Sequence, residues 1–217
     1  SLFVGSVRCV LESDISSACA FVVAGCGIPV AKHGNKAVSS KSGAADVLSS
    51  LGIKLDCDMS LVERALAEAN ITFLMAPRHH AAMRHVGPTR AALGVRTIFN
   101  LLGPFSIPAL VKRIMVGVFD QSYCASFAHV LAQLGATHAW VVHGADGLDE
   151  VSTTGKTHVA ALHDGTVTEF TISPDDIGLR TASLDQLRGG DGNHNARYLR
   201  ALLEGETGPY HLSLIHI

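Results

Sequence analysis

Short apolar runs alternating with segments of helical period constrain this chain more than any other feature. Ile28-Pro29-Val30-Ala31, Ile71–Met75, Arg113–Phe119 and His138–Val142 have the length and composition of buried strands. Between them, Ile15, Ala18, Cys19, Val22 and Val23 recur at the spacing of one helix face, with Asp14 or Ser16 available as N-cap and Gly25 as the stop. Ala44–Leu51 and Ser122–Leu134 are helix candidates, ended by Gly52 and Gly135. Ser60-Leu61-Val62-Glu63 has the form of a capping box opening the helix that carries Leu61, Ala65, Leu66 and Ala69. Helical pattern resumes after His79, with Pro88 expected in the first turn of a second piece. Near the end the rhythm changes: His158–Leu162 and Thr166–Ile172 flank Asp164-Gly165, a strong hairpin signal. Asn195–Leu203 closes as a helix before Gly205. The expected fold is α/β: a central, mostly parallel sheet flanked by helices, with an antiparallel addition near the C-terminus.

Composition excludes several classes. Of 217 residues, 47% are hydrophobic, enough to bury a large core. Lys plus Arg is 17 and Asp plus Glu is 19, a net charge of −2, so no general basic footprint for nucleic acid or an anionic membrane exists. No apolar run is long enough to predict a membrane span. The opening Ser-Leu-Phe-Val-Gly lacks the features of a secretory signal. The cysteines number 5, an odd count with no Cys-x-x-Cys pair, which fits a reducing, cytoplasmic setting. Residues 1–13 read as an altered or non-native segment, excluded from fold reasoning, and 212–217 as a translated adapter tail. Residues 14–211 remain as one α/β domain.

Three segments carry chemistry. Lys32 through Asp46 offers hydroxyls at Ser39, Ser40 and Ser42, flexible backbone at Gly34 and Gly43, and lysines, just before a helix. Anionic oxygens are held well by backbone N–H groups at a helix start, supplemented by hydroxyl and ammonium donors. Composition alone leaves a solvated serine-rich loop equally open. Val141 through Ser152 ends a strand in a glycine-punctuated loop bearing Asp146, Asp149 and Glu150. Adjacent carboxylates suit Mg2+, which prefers oxygen and reaches proteins through one or two carboxylates plus substrate phosphates; an exposed acidic turn is the alternative. Ala76 through Arg90 places Arg90 on a helix downstream of His79 and His80, where a guanidinium could clamp a carboxylate.

With these segments on the page, the chain resembles the anthranilate phosphoribosyltransferases. The stretches that carry the resemblance are Ala18-Cys-Ala-Phe-Val-Val-Ala, Val30-Ala-Lys-His-Gly-Asn, Ser39-Ser-Lys-Ser-Gly with Ala45-Asp-Val-Leu, Leu93 through Pro104, and His143-Gly-Ala-Asp-Gly-Leu-Asp-Glu-Val-Ser. The resemblance implies a nucleoside phosphorylase/phosphoribosyltransferase-like large domain. It implies transfer of the phosphoribosyl group of phosphoribosyl pyrophosphate to anthranilate, with release of pyrophosphate, in tryptophan biosynthesis, and a homodimer for the full-length family. It further implies that Asp14, Ser16, Ser17, Lys32, Asn35, Lys36, Ser39, Ser40 and Ala44 line phosphoribosyl pyrophosphate. Asn35, His79, His80 and Arg90 would face anthranilate, and Ser16, Asp149 and Glu150 would hold Mg2+.

The chain also departs from that pattern. Ser6-Val-Arg-Cys-Val-Leu-Glu stands where the family has a Gly-Thr-Gly-Gly-Asp loop, Asp14 replaces an Asn, and the expectation is a chain that lacks the family's small N-terminal helical subdomain. A carboxylate where phosphate should sit repels it and should weaken binding unless Asp14 turns away. With the glycine-rich half of the pyrophosphate cradle replaced, the expectation is a chain with little or no transferase activity. Two rivals are a pyrimidine-nucleoside phosphorylase, against which Leu148-Asp-Glu-Val-Ser leans, and a non-catalytic nucleic-acid-binding paralogue, against which the net charge and the intact Asp149-Glu150 pair lean.

Overall fold

The computed structural model describes residues 3–6, 15–36, 42–80, 83–93, 99–106 and 112–206. Its strands are β1 (Phe3–Ser6), β2 (Val30–Gly34), β3 (Ile71–Met75), β4 (Arg113–Gly117), β5 (His138–Gly144), β6 (Thr157–His163) and β7 (Thr166–Ile172). They form a single seven-stranded sheet in the order β3-β2-β1-β4-β5-β6-β7. Every pairing from β3 to β5 is parallel, and β5–β6 and β6–β7 are antiparallel. The α/β expectation and its antiparallel C-terminal addition are both present.

Helices α1 (Ile15–Gly25), α2 (Ala44–Ser50), α3 (Met59–Ala69), α4 (Ala76–His79), α5 (Met83–Leu93), α6 (Phe99–Leu102), α7 (Cys124–Gln133) and α8 (Gly192–Leu203) occupy the connections and the C-terminal segment. The largest core joins one sheet face to α7: Val116, Val141 and Ala160 from the strands meet Cys124, Phe127, Ala128 and Leu131. These strand residues are essentially inaccessible to solvent, which is the pattern parallel strands covered by helices require. A second cluster joins α1, α2 and α8 through Ile15, Ala18, Val47, Ala196 and Leu199. A third, Val142, Val151 and Val159, lies beneath the loop that follows β5.

The chain runs from β1 outward to β2 and β3, then returns to lay β4 on the opposite side of β1. The β1/β4 boundary is therefore the topological switch point. In such sheets a crevice opens there beyond the carboxyl ends of the strands, where ligands bind. Among the described residues no helix is long and apolar enough to cross a membrane.

Four expectations need correction. Phe3–Ser6, set aside with residues 1–13, is a central strand: Phe3 to Ser6 pair in register with Arg113 to Val116. Ser60 does not cap α3, which begins at Met59 after Asp58. Pro88 lies inside α5 rather than at the start of a separate helix. Ser16 is within α1 and is not its N-cap.

Candidate functional site

The ends of the parallel strands bring the predicted residues to one edge of the sheet. At β2, alternation sends Lys32 towards α1, and its side chain crosses to the first turn of that helix. Lys32 Nζ donates to Ser16 Oγ at 3.0 Å, and Lys32 is 3% exposed. A buried ammonium at a helix N-terminus is an unusual juxtaposition, because the positive end of the helix dipole and the lysine charge add. Both then attract the same anion. Ser17, next along α1, is fully buried, and its hydroxyl has no hydrogen-bond partner among the described residues. No acidic residue occupies the described first turn of α1.

Beyond β2 the chain turns at Gly34 and Asn35. A Cβ on Gly34 would press the Phe73 ring at 3.0 Å and Ala44 at 3.4 Å, so glycine is what lets α2 approach β2 and β3. The Asn35 carbonyl accepts from Ala45 N at 3.2 Å, while its side-chain oxygen accepts from Lys36 N at 2.8 Å. Ala44 opens α2, and the Asp46 carboxylate accepts from Gly43 N at 3.0 Å, fixing that entry. Asp14, Ser39 and Ser40 lie outside the described residues. Arg90 is on α5, downstream of the histidines as expected, and its side chain is not among those described.

Beyond β3, α4 delivers the two histidines. His80 Nε2 lies 2.9 Å from His33 Nε2, with the rings edge to face. His33, singled out by no spacing rule, is 6% exposed, and burial above all, then its neighbour His80, pushes its pKa down to about 4. His79 is also held below the ordinary imidazole value, by partial burial and by His80 and Arg78. Burial thus disfavours the charged forms of His33 and His79 on the side where the resemblance places an aromatic substrate. Arg78 donates to the Cys57 carbonyl, tying α4 to the loop before α3.

Beyond β4 and β5 lies the acidic loop. Gly117, the last residue of β4, has no room for a side chain, since a Cβ there would strike the Asp149 carbonyl oxygen. Asp149 therefore rests on the end of β4, beside the switch point. Asp149 and Glu150 are 4% and 1% exposed. Asp146, grouped with them in the sequence, has a different task. It accepts from Leu148 N at 3.1 Å and from the hydroxyls of Ser152 and Thr154, pinning both ends of the loop. The Leu148 carbonyl accepts from Gly144 N at 2.7 Å, and Thr157 Oγ1 accepts from Ser152 N at 2.8 Å. The Asp-to-i+2 N–H bond is a readable Asx-turn signature.

The donor set at Asp149 and Glu150 is carboxylate oxygen, which suits a hard cation such as Mg2+. Opposite it, across β1, stand Lys32, Ser16 and the α1 N-terminus, which suit anionic oxygens. A diphosphate bridged by a divalent cation needs both halves.

Comparisons with known proteins identify the family. The chain is 58% identical over 197 residues to the anthranilate phosphoribosyltransferase of Azorhizobium caulinodans, covering 91% of this chain and 57% of that protein. It is 56% identical over 202 residues to that of Rhodospirillum rubrum, covering 93% and 58%. The chain therefore spans little more than half the length of these curated relatives. In structure it resembles the Thermus thermophilus anthranilate phosphoribosyltransferase, with a TM-score of 0.88 and 40% identity, over 98% of this chain and 64% of that one. It also resembles the Saccharomyces cerevisiae enzyme in complex with PRPP and Mg, with a TM-score of 0.85 and 30% identity, over 98% and 61%. A family model described as the glycosyl transferase family, a/b domain, matches residues 11–217, and to that family the chain belongs.

Proposed function

We propose that this chain is the phosphoribosyl-pyrophosphate- and metal-binding portion of an anthranilate phosphoribosyltransferase. The observation that carries the reading is the Lys32–Ser16 hydrogen bond across from Asp149 at the end of β4, a cationic half and an anionic half on either side of the switch point. The named relatives support it, as does the yeast structure in complex with PRPP and Mg.

In the proposed reaction the anthranilate amine attacks the ribose anomeric carbon, the bond to pyrophosphate breaks, and the amine releases a proton. Charge accumulates on the departing pyrophosphate. Lys32, Ser16, Ser17 and the backbone at the start of α1 would hold its oxygens, with Asn35, Lys36, Ser39, Ser40 and Ala44 lining the remainder. Asp149 and Glu150 would hold Mg2+, which supplies Lewis-acid stabilisation of the leaving group. An ammonium 3.0 Å from Ser16 Oγ repels a divalent cation on the same oxygen. Ser16 is accordingly assigned to the diphosphate rather than the metal. His79, whose charged form partial burial disfavours, and His80 would orient the aromatic amine with Asn35 and Arg90. Orientation of this kind supplies several kcal/mol without a strong general base.

Calorimetric titration with phosphoribosyl pyrophosphate, with Mg2+ and then with EDTA, tests the reading. Binding that needs Mg2+ and is lost in Asp149→Asn supports it. Equal binding in EDTA, or an unaffected Asp149→Asn, overturns it.

A further inference from the structure

At the opposite edge of the sheet, where β5 begins, a second cluster of ligating groups has no place in that reaction. His138 and His163 face each other directly in the antiparallel β5–β6 ladder, so their side chains project from the same face. Their rings meet edge to face with centroids 4.5 Å apart. Asp164, the first turn residue after His163, has φ 44, and its carboxylate Oδ2 lies 3.6 Å from His163 Nδ1. One donor atom from each of the three lies within 4.8 Å of the others.

We propose that His138, His163 and Asp164 form a site for a borderline transition-metal cation, Zn2+ or Ni2+, separate from the Mg2+ carboxylates. Three arguments support this. First, the scaffold is fixed: Asp164 N donates to the Thr137 carbonyl at 2.8 Å, and Thr137 N and His138 N both donate to the Lys112 carbonyl, at 2.9 and 3.0 Å. Turn and strand are therefore locked to each other before any metal arrives. Second, the side chains can close on an ion. Metal–imidazole bonds are about 2.0–2.1 Å, so the donors must draw together slightly, and the side chains of His163 and Asp164 are 74% and 65% exposed, free to change rotamer. Third, the chemistry selects the cation. Two imidazoles with one carboxylate prefer Zn2+ or Ni2+ over Mg2+, and three protein ligands leave a position open to water. Along β5, His138 and Gly144 are about 20 Å apart at the usual rise per residue, so this site and the acidic loop cannot share an ion.

Such a cation would clip the β6–β7 hairpin to the start of β5 and stabilise the fold through binding to the native state alone. The test is calorimetric titration of the metal-free chain with ZnCl2, then NiCl2, paired with thermal unfolding. Saturating one-site binding with a raised Tm is expected, and roughly tenfold or greater weakening in each of His138→Ala, His163→Ala and Asp164→Asn. His129→Ala, an exposed histidine on α7, is the control and should bind as the parent does. The His163 side chain is 74% exposed, so His163→Ala should keep the fold. Absence of one-site binding, or parental affinity in His163→Ala, overturns the proposal.

Discussion

The Lys32 ammonium, buried at the middle of β2, donates to the Ser16 hydroxyl in the first turn of α1. Burying a lysine beside a helix N-terminus destabilises the empty protein, because desolvation and the helix dipole both disfavour the charge. The arrangement becomes favourable once an anion arrives. Lys32→Met keeps most of the aliphatic stem and removes the charge, so stability should be equal to or above the parent's. Affinity for Mg2+–pyrophosphate should fall roughly tenfold or more, about 1.4 kcal/mol, in line with loss of a charge-assisted bond. Urea unfolding and calorimetry read the two effects separately; unchanged affinity would remove Lys32 from the anion half.

Gly117 and Asp149 predict a coupling between fold and metal. Gly117→Ala inserts a methyl group against the Asp149 carbonyl, and that backbone must move for the residue to fit. Overpacking of this kind costs about 1–3 kcal/mol. The displaced loop carries both proposed metal carboxylates, so the Mg2+ dependence of phosphoribosyl pyrophosphate binding should shift to higher Mg2+. Parental stability together with a parental Mg2+ titration would contradict the role given to this contact.

Asp146 separates holding the loop from holding the metal. Asp146→Ala removes the acceptor for Leu148 N, Ser152 Oγ and Thr154 Oγ1 at once. Leaving such groups unsatisfied costs about 1–3 kcal/mol. Asp146→Asn retains one carbonyl acceptor and should recover part of that stability, as measured by chemical denaturation. If the alanine variant unfolds at the parental midpoint, the loop is held by other means.

The hairpin was legible from two residues. Asp164-Gly165 takes φ 44 and 85, the positive values a tight two-residue turn requires, and local chemistry alone specifies them. The longer strands and the parallel core followed from short apolar runs, of which β2 is buried almost continuously while β3 and β4 alternate. What escaped detection depends on partners far away in sequence. Phe3–Ser6 is too short to identify itself, and becomes a strand because β2 and β4 lie on either side of it. Ser60-Leu-Val-Glu63 matches a capping pattern, yet α3 starts one residue before Ser60, with Asp58 already extended at the boundary. His33 meets His80 only because parallel pairing sets His33 against Leu74, at the end of the strand that leads into α4. Lys32 entered the candidate list by resemblance, whereas its contact with Ser16 needed the fold.

That same His33–His80 contact gives the stability of the fold a pH dependence with a definite sign. His33 has its pKa pushed down from 6.5 to about 4 by burial first and by His80 second. Between those values the unfolded chain binds a proton that the native chain does not, so stability rises with pH across this window. The contribution is fully present above about pH 6.5, falls as the pH drops towards 4, and is absent below it. The 6.5 − 4 = 2.5-unit difference corresponds to at most about 3 kcal/mol. His79, shifted in the same direction, adds to the slope. His33→Gln keeps a hydrogen-bonding side chain of similar size but cannot titrate. Its urea midpoint should therefore change less than the parent's between pH 7 and pH 4.5. Because protonating His33 would place a charge against the His80 ring 2.9 Å away, the parent should also lose affinity for the aromatic amine over the same interval. Equal slopes for parent and variant would mean that another group governs acid unfolding, and that the buried imidazole is already compensated in its charged form.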